Sequence, residues 1–282
     1  MTCDFHTHTN HSDGSFTPTE LVAEAKRLNL TIALTDHNTV SGLPEFLAEA
    51  EREGVRAIGG TELSTDYEGK EFHLIGLFIK PEYYDRVERL CAEFLKLKEI
   101  SNIDLCEKLN ERGYKIDFSL VKARYVKGNA NRAHIAAELV RCGYVSSVAE
   151  AFDTLIGKRC GIYVPPERLK LTDAIRFLRE IEALPILAHP LKDATPERLR
   201  QILPTLIDAG LVGMETMHSS YSDDDIAAAK KIASDFNILE SGGSDFHGSV
   251  KPGVELGVGK GNLRINEEVY HNLLALKNKG ES

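Results

Sequence analysis

The sequence predicts an α/β barrel of seven strands that carries an inserted helical subdomain. Short apolar runs alternate with amphipathic helical patterns at both ends of the chain, while a central stretch loses the strand signal. Polar residues able to bind metal recur where the apolar runs end: His6 and His8, Asp36 and His37, Glu62, His189, Asp245 and His247. The β-α-β-α order implies parallel strands with crossover helices. In barrels of that kind the chemistry gathers at the C-terminal ends of the strands.

The first strand ends at Phe5. Thr17-Pro18-Thr19-Glu20 starts a helix, with Thr17 as N-cap, Pro18 at the first helical position and Glu20 closing a capping box. Leu21, Val22, Ala25 and Leu28 follow at helical spacing. Thr31 to Thr35 is a buried strand, a helix runs from about Gly42 to Glu53, and a strand runs from Val55 to Glu62. Only Asp66 to Lys70 separates it from the next strand, Phe72 to Ile79. A parallel crossover needs roughly a dozen residues, so this connection must be a hairpin. The second strand then runs backwards and brings His73 beside Glu62.

Helical pattern continues from Pro81 to about Gly113, and short glycine-punctuated helices occupy 113–166. Strand and helix order then resumes: a helix over Thr172 to Glu182, a strand over Pro185 to Ala188, and a helix after Thr195-Pro196. A strand from Leu211 to Thr216, a helix carrying Ile226, Ala229 and Ile232, and a strand from Ile238 to Gly242 complete the pattern. The expected division is a barrel domain over 1–112 and 167–282, with 113–166 inserted as a substrate-binding subdomain or lid. The tail from Asn278 to Ser282 is expected to fray.

With 282 residues, 42% of them hydrophobic and 27% charged, the chain is long enough for a well-packed core. Its first residues lack the basic and apolar regions of a secretory signal, and no apolar run approaches the ~20 residues that cross a bilayer. Five scattered cysteines without a CxxC pair read as reduced thiols of a cytoplasmic protein. The net charge of −9 argues against a surface for duplex nucleic acid. Phosphorylated substrates stay open, because bound divalent cations invert the local field.

His6-Thr7-His8 places two imidazoles on one face of an extended backbone, and Asp13 follows in a tight turn. An HxH alone is as often a surface feature as a chelate, and each other polar strand end is open to a capping role. Six histidines and three carboxylates on one rim are another matter. Their mutual repulsion and lost hydration would be costly without cations. Four further histidines remain: His11 beside Asp13, His134 in the insertion, His218 after the sixth strand, and His271 in the last helix. His218 faces the same rim, where it would contact phosphate, protonate a leaving group or simply hydrogen-bond. Lys127, Lys158 and Arg159 read as solvated surface charge.

The segments FHTHTNHSDG, LTDHN, GGTE, EFHLIG, AHP and SDFHG resemble the ordered motifs of the polymerase and histidinol phosphatase (PHP) family. The resemblance implies a distorted seven-stranded (β/α)7 TIM-like barrel and three divalent ions of Mn, Zn or Fe. Carried over by position, His6, His8, Glu62 and Asp245 would hold the first ion. Glu62, His73 and His189 would hold the second, and Asp13, His37 and His247 the third. Asp36 would orient an imidazole from behind. Such a centre implies metal-activated hydroxide attacking a phosphate monoester. Arg132 and His134 resemble an Arg-x-His element of a nucleotide-hydrolysing subgroup, and would grip a second phosphate, the histidine through a charge-assisted bond. An exposed helix start with a basic face is the plainer reading of that element. The implied substrate is a nucleoside 3′,5′-bisphosphate or a nucleoside monophosphate. The alternatives are a 5′-3′ exonuclease on short RNA or DNA, a histidinol phosphatase, and a non-catalytic metal-binding module.

Overall fold

The computed structural model describes residues 2–125 and 131–279, apart from the side chains of Tyr125 and Lys158. Lys127 and the last three residues of the tail lie outside the described residues. The chain forms two compact units, Met1–Arg89 with Leu169–Ser282, and Leu90–Arg168.

In the first unit, β1 (Thr2–Asp4), α1 (Pro18–Leu28), β2 (Leu30–Leu34), α2 (Leu43–Glu53) and β3 (Ala57–Tyr67) follow in order, and the three strands pair in parallel. The Thr17 capping box forms, with both reciprocal hydrogen bonds in place. β4 (Lys70–Leu77) then runs antiparallel to β3. The turn is tighter than the sequence suggested. Only Glu68 and Gly69 lie between the strands, with φ 54° and 79°, the left-handed pair that matches the natural twist of a two-residue hairpin.

Helix α3 (Tyr84–Glu111) follows, and within it the chain passes into the second unit. α4 (Phe118–Tyr125), α5 (Arg132–Arg141) and α6 (Val148–Ala151) belong to that unit. Its core joins Leu105 and Leu109 of α3 to Ile116, Val121, Ile135 and Leu139. The unit therefore takes in much of α3 as well as 113–166, because the apolar face of α3 supplies one side of that core.

The first unit resumes with α7 (Leu171–Glu180), β5 (Leu184–Leu187), α8 (Pro190–Asp193), α9 (Pro196–Asp208), β6 (Gly213–His218), α10 (Asp223–Asp235) and β7 (Leu239–Gly243). β5 pairs antiparallel with β4 and parallel with β6, which pairs parallel with β7. The ring then closes on β1. Phe5 N–H donates to Gly242 O at 3.1 Å and Asp245 N–H to His6 O at 2.9 Å. Closure needs a glycine, since a Cβ on Gly243 would lie 2.2 Å from His6 Cβ. β1 to β7 thus make an α/β barrel, and the sheet holds one strand more than the seven expected. A further two-residue strand, β8 (Ile265–Asn266), lies antiparallel on the start of β1, followed by α11 (Glu267–Lys279). β8 is too short to leave an alternating pattern in the sequence. Among the described residues, no helix is long and apolar enough to cross a membrane.

Candidate metal centre

The rim of the barrel collects the polar strand ends around one carboxylate. Glu62 sits in β3 and is fully buried. His73 stands opposite Ser64 in the hairpin, so it lies diagonally from Glu62 on the same face. Its Nδ1 is 2.9 Å from Glu62 Oε1, and His189 Nε2 is 3.0 Å from the same oxygen. The other oxygen, Oε2, faces His37 Nδ1 at 3.0 Å, His6 Nε2 at 3.1 Å and His8 Nε2 at 3.3 Å. Asp245 Oδ1 completes the group at 3.7 Å from His6 Nε2 and 3.4 Å from His8 Nε2. Asp13, more than half exposed, lies 3.2 Å from His247 Nε2 and 3.9 Å from His37 Nε2.

The nine residues expected as ligands are thus brought together, with His37 turned between Glu62 and Asp13. Two of them have a left-handed backbone, His189 (φ 29°) and Asp245 (φ 58°). Phe246 packs edge-on against Phe16 at 5.2 Å, while Asp245 and His247 still share the site, with His247 Nδ1 at 3.5 Å from Asp245 Oδ1.

The electrostatics are those of a charged cluster out of water. Burial opposes charge on His6, but Glu62 and Glu215 outweigh it and hold its pKa well above the ordinary imidazole value. Burial is likewise outweighed at His73, raised to about 10 by Glu62. At His8 burial and the neighbouring His37 act together and lower the pKa to about 3. Burial would raise the carboxyl pKa values of Glu62 and Asp245, yet the surrounding imidazoles hold both well below the usual range.

The decisive geometry lies in the atoms without hydrogen bonds. His6 Nε2, His8 Nδ1 and Nε2, His37 Nδ1 and Glu62 Oε2 are all buried and have no hydrogen-bond partner. Three ring nitrogens crowd to within 3.0–3.3 Å of Glu62 Oε2, none aligned to donate to it. Buried polar atoms left in this way are expensive. Divalent cations would satisfy them together, so the residues fit a metal centre.

A PHP domain matches residues 4–156, more than half of the chain. The chain belongs to the PHP family. It is 32% identical to a 5′-3′ exoribonuclease of Haemophilus influenzae, over 86% of this chain and 89% of that one. It is 30% identical to a phosphoribosyl 1,2-cyclic phosphate 1,2-diphosphodiesterase of Eggerthella lenta, over 87% and 94%. A 3′,5′-nucleoside bisphosphate phosphatase of Chromobacterium violaceum is 27% identical over 90% of both chains. Among solved structures, a Chromobacterium violaceum amidohydrolase with bound sulfate superposes with a TM-score of 0.77, at 26% identity, over 98% of this chain and 96% of that one. This PHP protein is a metal-dependent phosphoric ester hydrolase.

One expectation is corrected. Asp36 does not orient an imidazole. Its carboxylate accepts from Thr9 N–H at 2.7 Å, Thr9 Oγ1 at 2.6 Å and Ser12 Oγ at 2.5 Å, so it braces the loop that leads to Asp13. His134 caps its own helix. Its Nδ1 accepts the Asn131 backbone N–H at 3.1 Å in a capping box, and burial, with Lys98 nearby, lowers its pKa. His134 is therefore a neutral ring at the start of α5. Arg132, at the same helix start, lies 3.8 Å over the Tyr163 ring and donates to Ile156 O at 3.3 Å. His11 bonds Ser41 Oγ at 2.9 Å, and His271 is exposed on α11.

Three residues of the site escaped the sequence reading. Glu215 is buried in β6 against His6, while Lys251 and Lys192 lie 2.7 and 3.9 Å from Asp245 Oδ2. The signal for Glu215 was a lone acid within the apolar run Leu211 to Met217. The lysines left none, since each stands among ordinary surface charge.

Proposed function

We propose that the chain is a phosphatase for a small nucleotide, with a nucleoside 3′,5′-bisphosphate or a nucleoside monophosphate as substrate. The observation that carries this reading is the set of donors beside the candidate centre. His218 Nδ1 accepts the Ser220 backbone N–H at 3.1 Å, so the neutral ring keeps its proton on Nε2. That Nε2 is buried, has no hydrogen-bond partner and lies 3.4 Å from Asp245 Oδ2. Burial lowers the pKa of His218 despite Asp245, so the ring is a neutral donor near pH 7. A ring protonated on Nε2 has no lone pair there for a metal, and His218 therefore serves phosphate rather than an ion. With Lys251 and Lys192 it presents three donors to the oxygens of a phosphate monoester dianion.

His6, His8, Glu62 and Asp245, then Glu62, His73 and His189, then Asp13, His37 and His247 would hold three divalent ions. A mixed imidazole and carboxylate set suits Mn, Zn or Fe. When bound, the ions supply Lewis acidity, activating water near neutral pH and neutralising phosphoryl oxygens. The chain itself orients the phosphate through His218 and the two lysines. Arg132, in the second unit, is the proposed grip on a second phosphate, and the segment 113–166 the proposed carrier of substrate recognition. A 5′-3′ exonuclease acting on short RNA is the second reading, favoured by the 32% identity to the Haemophilus influenzae exoribonuclease.

Phosphate release and chain shortening, followed with added Mn²⁺ on a 3′,5′-bisphosphate, a 5′-monophosphate and a short oligoribonucleotide, separate the two. The proposal expects the bisphosphate or the monophosphate to be the better substrate by kcat/KM. Turnover of the oligonucleotide alone would establish the exonuclease instead.

A further inference from the structure

Glu215 is fully buried in the middle of β6, and both of its oxygens are engaged. Oε1 lies 3.0 Å from His6 Nδ1, and Oε2 accepts the backbone N–H of His189 at 2.6 Å. We infer that Glu215 is the positioning residue of the centre, holding the proton of His6 on Nδ1 and the backbone of His189 in place so that both rings present Nε2 to the ions. This rests on the metal-centre reading above.

A neutral imidazole has one lone pair. An acceptor at Nδ1 keeps the proton there and leaves the lone pair on Nε2, which is the atom of His6 that faces Glu62 and Asp245. The second contact addresses a different problem. His189 precedes Pro190, a position that ordinarily adopts extended backbone, yet it has φ 29° and ψ 47°. A conformation of that kind persists only where its surroundings impose it. The Glu215 carboxylate does so through the His189 N–H, which leaves His189 Nε2 3.0 Å from Glu62 Oε1. As pure structure, a buried acid here would be a poor choice. A well-packed apolar residue in such a place is commonly as stable or more so.

Glu215→Gln is the sharp test, since glutamine keeps the shape but offers one acceptor and one donor. Either His6 Nδ1–H or His189 N–H must then face an NH₂ group. With Zn²⁺ as the probe and a competing chelator, affinity should fall about 10–100-fold. In nitrogen-15 histidine spectra of the Zn²⁺-loaded wild type, His6 should be protonated on Nδ1 with the metal on Nε2, and the variant should lose that signature. Zn²⁺ binding by the variant within twofold of wild type would overturn the inference and leave the metal centre standing. Should the variant fail to fold, the wild-type spectrum decides alone, because a His6 unprotonated at Nδ1 refutes it. A wild type that binds no Zn²⁺ removes the metal-centre reading itself, and this inference with it.

Discussion

Replacing Glu62 with glutamine separates what the carboxylate does for metal from what it does for the fold. In the metal-free protein Glu62 is the counter-charge of His6 and His73. Raising His73 from 6.5 to about 10, through Glu62 first and Glu71 second, corresponds to roughly 4 kcal/mol of coupling at pH 7, the larger part of it from Glu62. Against this stands the desolvation of a fully buried carboxylate, several kcal/mol for one ion. The two nearly cancel, and in the variant the imidazoles simply become neutral. The metal-free variant should therefore melt within a few degrees of wild type, given about 2–4 °C per kcal/mol for a chain of this size. With metal the balance changes, because both oxygens of Glu62 face proposed ligands of different ions. Removing the buried charge should cost about 3–5 kcal/mol, or roughly 150- to 5,000-fold in affinity. Melting curves in EDTA and in Mn²⁺, with metal content after desalting, read both halves. Wild type should gain stability on adding Mn²⁺, by about 2.7 kcal/mol at a hundredfold excess over Kd, and the variant should gain little. A variant that keeps its metal and its activity within threefold would refute the reasoning. So would one that unfolds only when metal is removed.

Acidity should couple to metal binding. The raised pKa values of His6 and His73 favour the folded metal-free protein fully below pH 6.5, and that contribution is lost as pH climbs toward about 10. Metal must displace the same protons, so affinity measured by calorimetry should rise with pH over this window, about tenfold per unit for each proton released. The melting temperature of the metal-free protein should fall over the same range. Arg132→Lys keeps the charge but loses the planar fork stacked on Tyr163. Steady-state kinetics on a bisphosphate should show kcat/KM reduced about 10- to 150-fold, with metal content unchanged. His8→Ala removes a ring whose two nitrogens face two ion positions, and metal analysis should find both depleted along with activity.

The fold was legible where short-range physics determines it. Loop length alone required the β3–β4 hairpin and put His73 beside Glu62, although His73 lies at the start of its strand. Strand-end position gathered the other proposed ligands, because parallel strands deliver their C-terminal ends to one rim. The roles of Asp36 and Glu215 were not legible, since each depends on which partner lies across the barrel. Asp36 is adjacent in sequence to His37 but bonds Thr9 and Ser12, whereas Glu215 meets a histidine 209 positions away. The capping role of His134 was not legible either, for a local reason. Its side chain turns back to cap its own helix, a choice that an Asn-x-x-His spacing does not announce.

The most direct test of the account is an anomalous difference map from a crystal grown with Mn²⁺. Three peaks are predicted, each about 2.0–2.3 Å from its ligand atoms. One should lie among His6, His8, Glu62 and Asp245, one among Glu62, His73 and His189, and one among Asp13, His37 and His247. A map with no peak bonded to Glu62, in protein that still hydrolyses the phosphate ester, would contradict it.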